Sequence, residues 1–159
     1  MDRLWAPWRL KYIKGKKSKG CIFCLCAKAR TRKSLIFKTR HTLVLSNIFP
    51  YNNGHLMVAP IRHIQDISQL EDDQLLDLMR TLEEAKKLLD KVLKPEGYNI
   101  GINMSRAGGA GIKSHLHIHI VPRWVGDTNF MSVLCNTKII SQSLEELVRR
   151  LKHARSNKD

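Results

Sequence analysis

The strongest constraint on how this chain folds is the run His115-Leu116-His117-Ile118-His119-Ile120, which leads into Val121 and Pro122. In an extended strand successive side chains point to opposite faces, so the three imidazoles share one face and the aliphatic residues the other. One face is then a core and the other a row of titratable nitrogens. A lone histidine in such a place reads best as a polar residue of a half-buried strand. Three in strict alternation, in a chain with only 7 histidines, read instead as a metal site, a nucleophilic site, or both.

The rest of the chain supplies partners for this strand. "SLIFKTR", "HTLVLSN", "GHLMVAP" and "YNIGIN" are short β-branched and aliphatic runs, separated by turn formers such as Pro50, Asn52, Asn53 and Gly54. With "SHLHIHIVP" they make five strands. Between the third and fourth, Ser68 and Glu71 have capping-box spacing, and Leu75, Met79, Leu82, Leu89 and Val92 recur at helical intervals until Pro95 and Gly97 stop the run. The spacing predicts one long amphipathic helix that covers a sheet. Ser143 and Glu146 open a second, basic helix. Strands joined by tight turns, with one intervening helix, indicate an α+β fold: an antiparallel five-stranded sheet with one long helix and a C-terminal helix. The organisation expected is a basic arm over 1–20, a catalytic domain over 21–140, and a basic helix and tail over 141–159.

A length of 159 residues, 43% of them hydrophobic, is enough for a real core. Lys and Arg number 28 against 14 acidic residues, and the net charge of +14 attracts polyanions over a long range. A phosphate-bearing partner is expected. The charge concentrates near the ends, in "KYIKGKKSKG", "ARTRKS" and "VRRLKHARSNKD", where solvated termini account for it as well as a polyanion contact does. A nucleic-acid-binding module is less favoured, because 6% aromatic residues offer few stacking platforms and such a module needs no aligned histidines. No apolar run is long enough to span a membrane, and the first 20 residues lack the apolar core of a signal peptide, so a cytoplasmic location is expected. Cys21, Cys24, Cys26 and Cys135 are too few and too uneven for a disulfide framework. The first and second have the spacing of half a structural zinc site; Cys26 has no assigned role.

The segment "NMSRAGGAGIKS" runs straight into the histidine row. Gly108, Gly109 and Gly111 allow close backbone approach, and successive N–H groups in such a loop can cradle a phosphate. A neutral imidazole is a competent nucleophile at phosphorus, and passing through a covalent phosphoramidate splits one hard displacement into two easier ones. A flanking histidine can assist the leaving phosphate.

These residues carry a resemblance. His115-Leu116-His117-Ile118-His119-Ile120-Val121 matches the signature of the histidine triad superfamily of nucleotide hydrolases and transferases. "LSNIFPYNNGHLMVAPIRHI" resembles that family's nucleotide-binding strand-turn-strand, and "MDRLWAPWRLKYI", "CIFC" and "VPRWVGDTNFM" resemble the bacterial branch related to diadenosine tetraphosphate phosphorylases and hydrolases. The resemblance implies that His117 is the nucleophile, that His119 contacts the transferred phosphate, that the carbonyl of His115 holds the His117 ring, and that His55 buttresses the row. It places Asn47 at the ribose and Asn103 at a phosphate. Gly111 and Ile112 stand where many relatives have Gln and Ser or Thr, so backbone amides around Gly109 and Gly111, or Lys113 and Ser114, are the expected substitutes. It further implies a structural zinc on Cys21, Cys24, His63 and His115, no organic cofactor, and a homodimer joined through its sheets. The substrate implied is a dinucleoside polyphosphate; a nucleoside phosphoramidase is the nearest alternative, and a non-catalytic nucleotide-binding module a more distant one.

Overall fold

The computed structural model describes residues 20–28, 33–127 and 142–157. Most of the basic arm, Cys135, and the part of the "VPRWVGDTNFM" segment after Asp127 lie outside these. The elements are α1 (Ile22–Lys28), β1 (Leu35–Lys38), β2 (Thr42–Ser46), β3 (Leu56–Pro60), α2 (Asp72–Leu93), β4 (Gly97–Ile102), β5 (Ile118–Arg123) and α3 (Leu144–Ser156), with a 3-10 turn over Ile67–Gln69. The five strands form one sheet in the order β1-β2-β3-β5-β4. Every pairing is antiparallel. No helix among the described residues is long and apolar enough to cross a membrane.

The alternation of side chains along each strand divides the sheet into two faces. Val44, Leu56, Val58, Ile118 and Ile120 pack against Leu78, Leu82, Ala85 and Leu89 of α2 and Leu147, Val148 and Leu151 of α3. On the other face Leu43, Leu45, Met57 and Ala59 pack against Phe23 and Cys26 of α1. His119 is paired with Met57 across β3 and β5, which puts the histidine row on the α1 face, away from the two longer helices.

Three expectations shift by a turn or less. β5 begins at Ile118, so His115 and His117 precede the strand; the Leu116 N–H donates to the carbonyl of Ile64 (2.6 Å) rather than to a ladder partner. Ser68 and Glu71 do not form the capping box. Ser68 gives both its N–H and its hydroxyl to Asp66, which caps the 3-10 turn. Glu71 is the N-cap of α2, with its N–H 3.5 Å from Gln74 Oε1. Asp72 and Asp73 then occupy the first turn, where the helix dipole favours negative charge. The buried stripe is also rotated: Leu82 and Leu89 are in the core and Val92 packs against it, but Leu75 and Met79 are exposed, and Leu78, Thr81, Ala85 and Leu88 replace them. Ser143 caps α3 by accepting from the Glu146 N–H, while the Glu146 carboxylate pairs with Arg149.

The turn into β3 leaves no freedom at Gly54. Its φ is +80°, and a Cβ there would lie 2.5 Å from Leu93 and 2.8 Å from Pro122. Gly54→Ala combines left-handed strain with overpacking beside His55, and is expected to cost about 1–3 kcal/mol of stability. A denaturant midpoint unchanged from wild type would contradict this.

Candidate active site

The site grows from backbone carbonyls and amides that fix which nitrogen of each histidine carries its proton. His117 Nδ1 is 2.8 Å from the carbonyl oxygen of His115. A carbonyl only accepts, so Nδ1 carries the proton and Nε2 is a bare lone pair. At the far end of the row the Tyr51 N–H donates to His55 Nδ1 (3.0 Å), which forces the His55 proton onto Nε2. That nitrogen is 2.9 Å from His119 Nδ1, so His119 accepts there and presents Nε2–H. The row thus sets a nucleophilic nitrogen at His117 beside a donor at His119, with the ring centroids 4.8 Å apart and edge-to-face.

Burial keeps these rings neutral. It is the largest cause lowering the pKa of His117, partly offset by the hydrogen bond to the His115 carbonyl. It also lowers His119 to about 4, with the nearby His117 adding to the effect. His55, fully buried, is pushed to about 3, again by burial first and then by His119 and His117. Near neutral pH the row is a set of uncharged imidazoles, which a nucleophilic role requires.

Phe23 lies under the row, with its ring centroid 4.9 Å from His115 and 5.1 Å from His117. It is set there by α1, whose flanking thiols form a second cluster. Cys21 Sγ is 3.2 Å from His115 Nδ1, Cys24 Sγ is 3.1 Å from His63 Nδ1 and 3.7 Å from His115 Nδ1, and the two histidine Nδ1 atoms are 3.1 Å apart. All four ligand atoms lie within 4.8 Å of one another. A tetrahedral zinc with ordinary Zn–S and Zn–N bonds has ligand-to-ligand edges of about 3.3 to 3.8 Å, close to this spacing. His115 is prepared for that role: its Nε2–H donates to the carbonyl of Pro60 (2.8 Å), which turns an unprotonated Nδ1 toward the thiols. Burial and then the neighbouring Cys21 hold the Cys24 thiol above its ordinary pKa.

The remaining sequence-derived residues fall into two groups. Asn47, at the end of β2, joins the histidine network: its Oδ1 accepts from the Phe49 N–H (2.9 Å) and its Nδ2 is 3.3 Å from His55 Nδ1. Asn103, Gly109, Gly111, Lys113 and Ser114 lie on the β4–β5 connection, Asn103 half-buried and the others exposed. This loop closes on itself. The Gly109 N–H donates to Arg106 and the Ala110 N–H to Ser105, and φ is +80° at Gly109. Those two amides are therefore spent inside the turn. Phe23 and Tyr51 were not legible as site residues, although each adjoins a residue that was: Phe23 sits between the thiols of "CIFC", and Tyr51 precedes "NNGH".

Residues 28–125 match the model of the HIT domain. The chain belongs to the HIT family. An "AP-4-A phosphorylase" of Mycobacterium tuberculosis is 33% identical to this HIT protein over 162 residues, covering 95% of this chain and 83% of the relative. A bis(5'-nucleosyl)-tetraphosphatase (asymmetrical) of Schizosaccharomyces pombe is 28% identical over 93 residues, covering 58% and 50%. Among solved structures, a Zn-bound histidine triad family protein from Mycobacterium smegmatis superposes with a TM-score of 0.70 at 24% identity, covering 88% of this chain and 96% of the other. That likeness shows the fold, and the α+β architecture expected from the sequence is the one found.

Proposed function

We propose that this HIT protein is a cytoplasmic nucleotidyl hydrolase or transferase that cleaves dinucleoside polyphosphates at the α-phosphorus, through a nucleotide held covalently on His117. The observation that carries this reading is the bare Nε2 of His117, set by the His115 carbonyl, next to the Nε2–H of His119. In the first step the Nε2 lone pair forms an N–P bond and the P–O bond to the leaving polyphosphate breaks. The bridging oxygen keeps the electron pair and leaves as an anion. With the pKa of His119 near 4, its ring is neutral, so it assists as a hydrogen-bond donor to that oxygen rather than as a full acid. His117 is then cationic, and its Nδ1–H on the His115 carbonyl steadies the charge. In the second step phosphate or water attacks phosphorus, the P–N bond breaks, and its electron pair returns to Nε2. Phosphate gives a nucleoside diphosphate; water gives a nucleoside monophosphate and a proton.

Asn47 is assigned to the ribose and Asn103, Gly111, Lys113 and Ser114 to the phosphates, by position along the β2–β3 turn and the β4–β5 loop; Gly109, whose N–H is bonded to the Arg106 carbonyl, shapes the loop instead. Zinc on Cys21, Cys24, His63 and His115 would supply a structural cross-link and no chemistry at phosphorus. A homodimer joined along β4 is favoured by the open edge of the sheet. Lys86 and Asp90 on α2 contact Tyr98 of β4, so the same flank of α2, with Leu75 and Met79 (51% exposed), faces β4, where Ile100 is 48% exposed.

The test is the product pattern from diadenosine tetraphosphate. With inorganic phosphate present, a phosphorylase gives ADP plus ATP; a hydrolase gives AMP plus ATP whether phosphate is present or not. The M. tuberculosis relative favours the first outcome. Absence of turnover under both conditions, with slow cleavage of adenosine phosphoramidate instead, would transfer the reading to a phosphoramidase.

A further inference from the structure

We infer that Tyr51 is a positioning residue for His119, its backbone setting the tautomer of His55 and its ring holding the His55 and His119 rings so that His119 Nε2–H faces the leaving group. The inference rests on the reading of His117 and His119 given above. Tyr51 touches the dyad in two ways. Its N–H donates to His55 Nδ1 (3.0 Å), and its ring centroid lies 4.7 Å from that of His55 and 5.7 Å from that of His119. The ring is 58% exposed, so core packing does not account for where it sits. Its backbone is nonetheless anchored through the residue that follows it. The next residue, Asn52, is buried and donates from Nδ2 to the carbonyl of Pro122 (3.0 Å) and to Asp127 Oδ2 (2.8 Å). Asp127 in turn accepts from Arg123 Nε (2.6 Å) and Nη2 (2.8 Å) at the end of β5, four residues beyond His119. An exposed aromatic ring is therefore held at a set distance from the strand that carries the histidine.

The need for such a ring follows from the torsion it controls. The χ2 of a histidine is broad and roughly two-fold, so packing rather than intrinsic preference selects its orientation. His117 meets His119 edge-on from one side; Tyr51 and His55 close the other. Without the Tyr51 ring, water reaches the His55–His119 pair, and a His119 ring free to turn about χ2 no longer points Nε2–H at the departing oxygen. The cost grows with the charge that accumulates on that oxygen.

The experiment uses the zinc-loaded full chain and two aryl esters of AMP, the phenyl ester and the 4-nitrophenyl ester. The phenolate from the first carries more localised charge and leans harder on the hydrogen bond. Tyr51→Ala is expected to lower kcat about tenfold or more on the phenyl ester and less than about twofold on the 4-nitrophenyl ester, with KM little changed, as part of a general-acid-type contribution is lost. Tyr51→Phe is expected to match wild type on both, because the ring and not the hydroxyl does the positioning. Equal loss on the two esters, or no loss on either, overturns the inference. Imidazole nitrogen NMR gives a second readout that needs no turnover: because alanine keeps the backbone N–H that donates to His55 Nδ1, His119 stays protonated on Nε2 in all three proteins, while its ring is ordered in wild type and Tyr51→Phe and shows line broadening from ring motion in Tyr51→Ala. A His119 ring as ordered in Tyr51→Ala as in wild type also overturns it. If wild type cleaves neither ester, the proposed function fails while the order of the His119 ring still decides the role of Tyr51.

Discussion

His117→Ala is expected to lower kcat on diadenosine tetraphosphate by about 10³-fold or more while leaving nucleotide affinity within about tenfold, since the lost interaction is a bond made on the way to the transition state. The magnitude follows from the geometry. His117 Nε2 is the nitrogen the structure leaves without a proton, and the neighbouring His119 Nε2 cannot replace it because the bond from His55 keeps a proton there. A neighbour taking over as nucleophile would require the whole relay from Tyr51 to His119 to invert. The alanine should not unsettle the Cys21, Cys24, His63 and His115 cluster, since the His115 ring is held independently by the Pro60 carbonyl. Retention of more than a few per cent of wild-type turnover would falsify the assignment of His117. Trapping labelled nucleotide on wild type but not on His117→Ala gives the direct check.

The row itself was legible because period-two alternation is written in the order of residues. What the alternation could not give is which nitrogen is free, since that depends on carbonyls and amides that meet the rings in space: His115 for His117, Pro60 for His115, Tyr51 for His55. The long helix was legible from its spacing, and its buried face was displaced for a reason outside the helix. α2 sits over β2 and β3, and Lys86 and Asp90, on the helical flank shared with Leu75 and Met79, reach Tyr98 of the edge strand β4, leaving Leu75 and Met79 exposed. Apolar spacing reports both kinds of surface alike. The glycine loop shows a similar limit. Its composition suggested free amides, yet a loop that must turn back into the histidine row uses the Gly109 and Ala110 N–H groups to hold its own shape. The thiol pair was visible as CxxC, but its meeting with His63 and His115 came only from the family resemblance, because no local spacing links Cys21 to His115, 94 positions away.

That long-range meeting makes the candidate metal site the second place where one substitution should have a large effect. Cys21→Ser or Cys24→Ser would remove one of the four residues proposed to hold zinc, and structural zinc contributes directly to folding free energy, on the order of ten kcal/mol in small zinc domains. Either variant is expected to lose bound zinc and to melt well below wild type. Wild type purified without chelator should carry about one equivalent per chain; less than about half would remove the case for a constitutive site. The effect should reach the chemistry by a definite path. Cys21 and Cys24 bracket Phe23, and Phe23 packs against both His115 and His117. Loss of zinc from the proposed site would free α1, and with it the surface that holds the His117 ring against its carbonyl. Activity should therefore fall in step with zinc content during titration with a chelator, whereas His117→Ala should bind zinc normally and still be inactive. A zinc-free protein with full activity and an unshifted melting temperature would reduce Cys21 and Cys24 to core thiols and leave His115 with no role beyond its carbonyl.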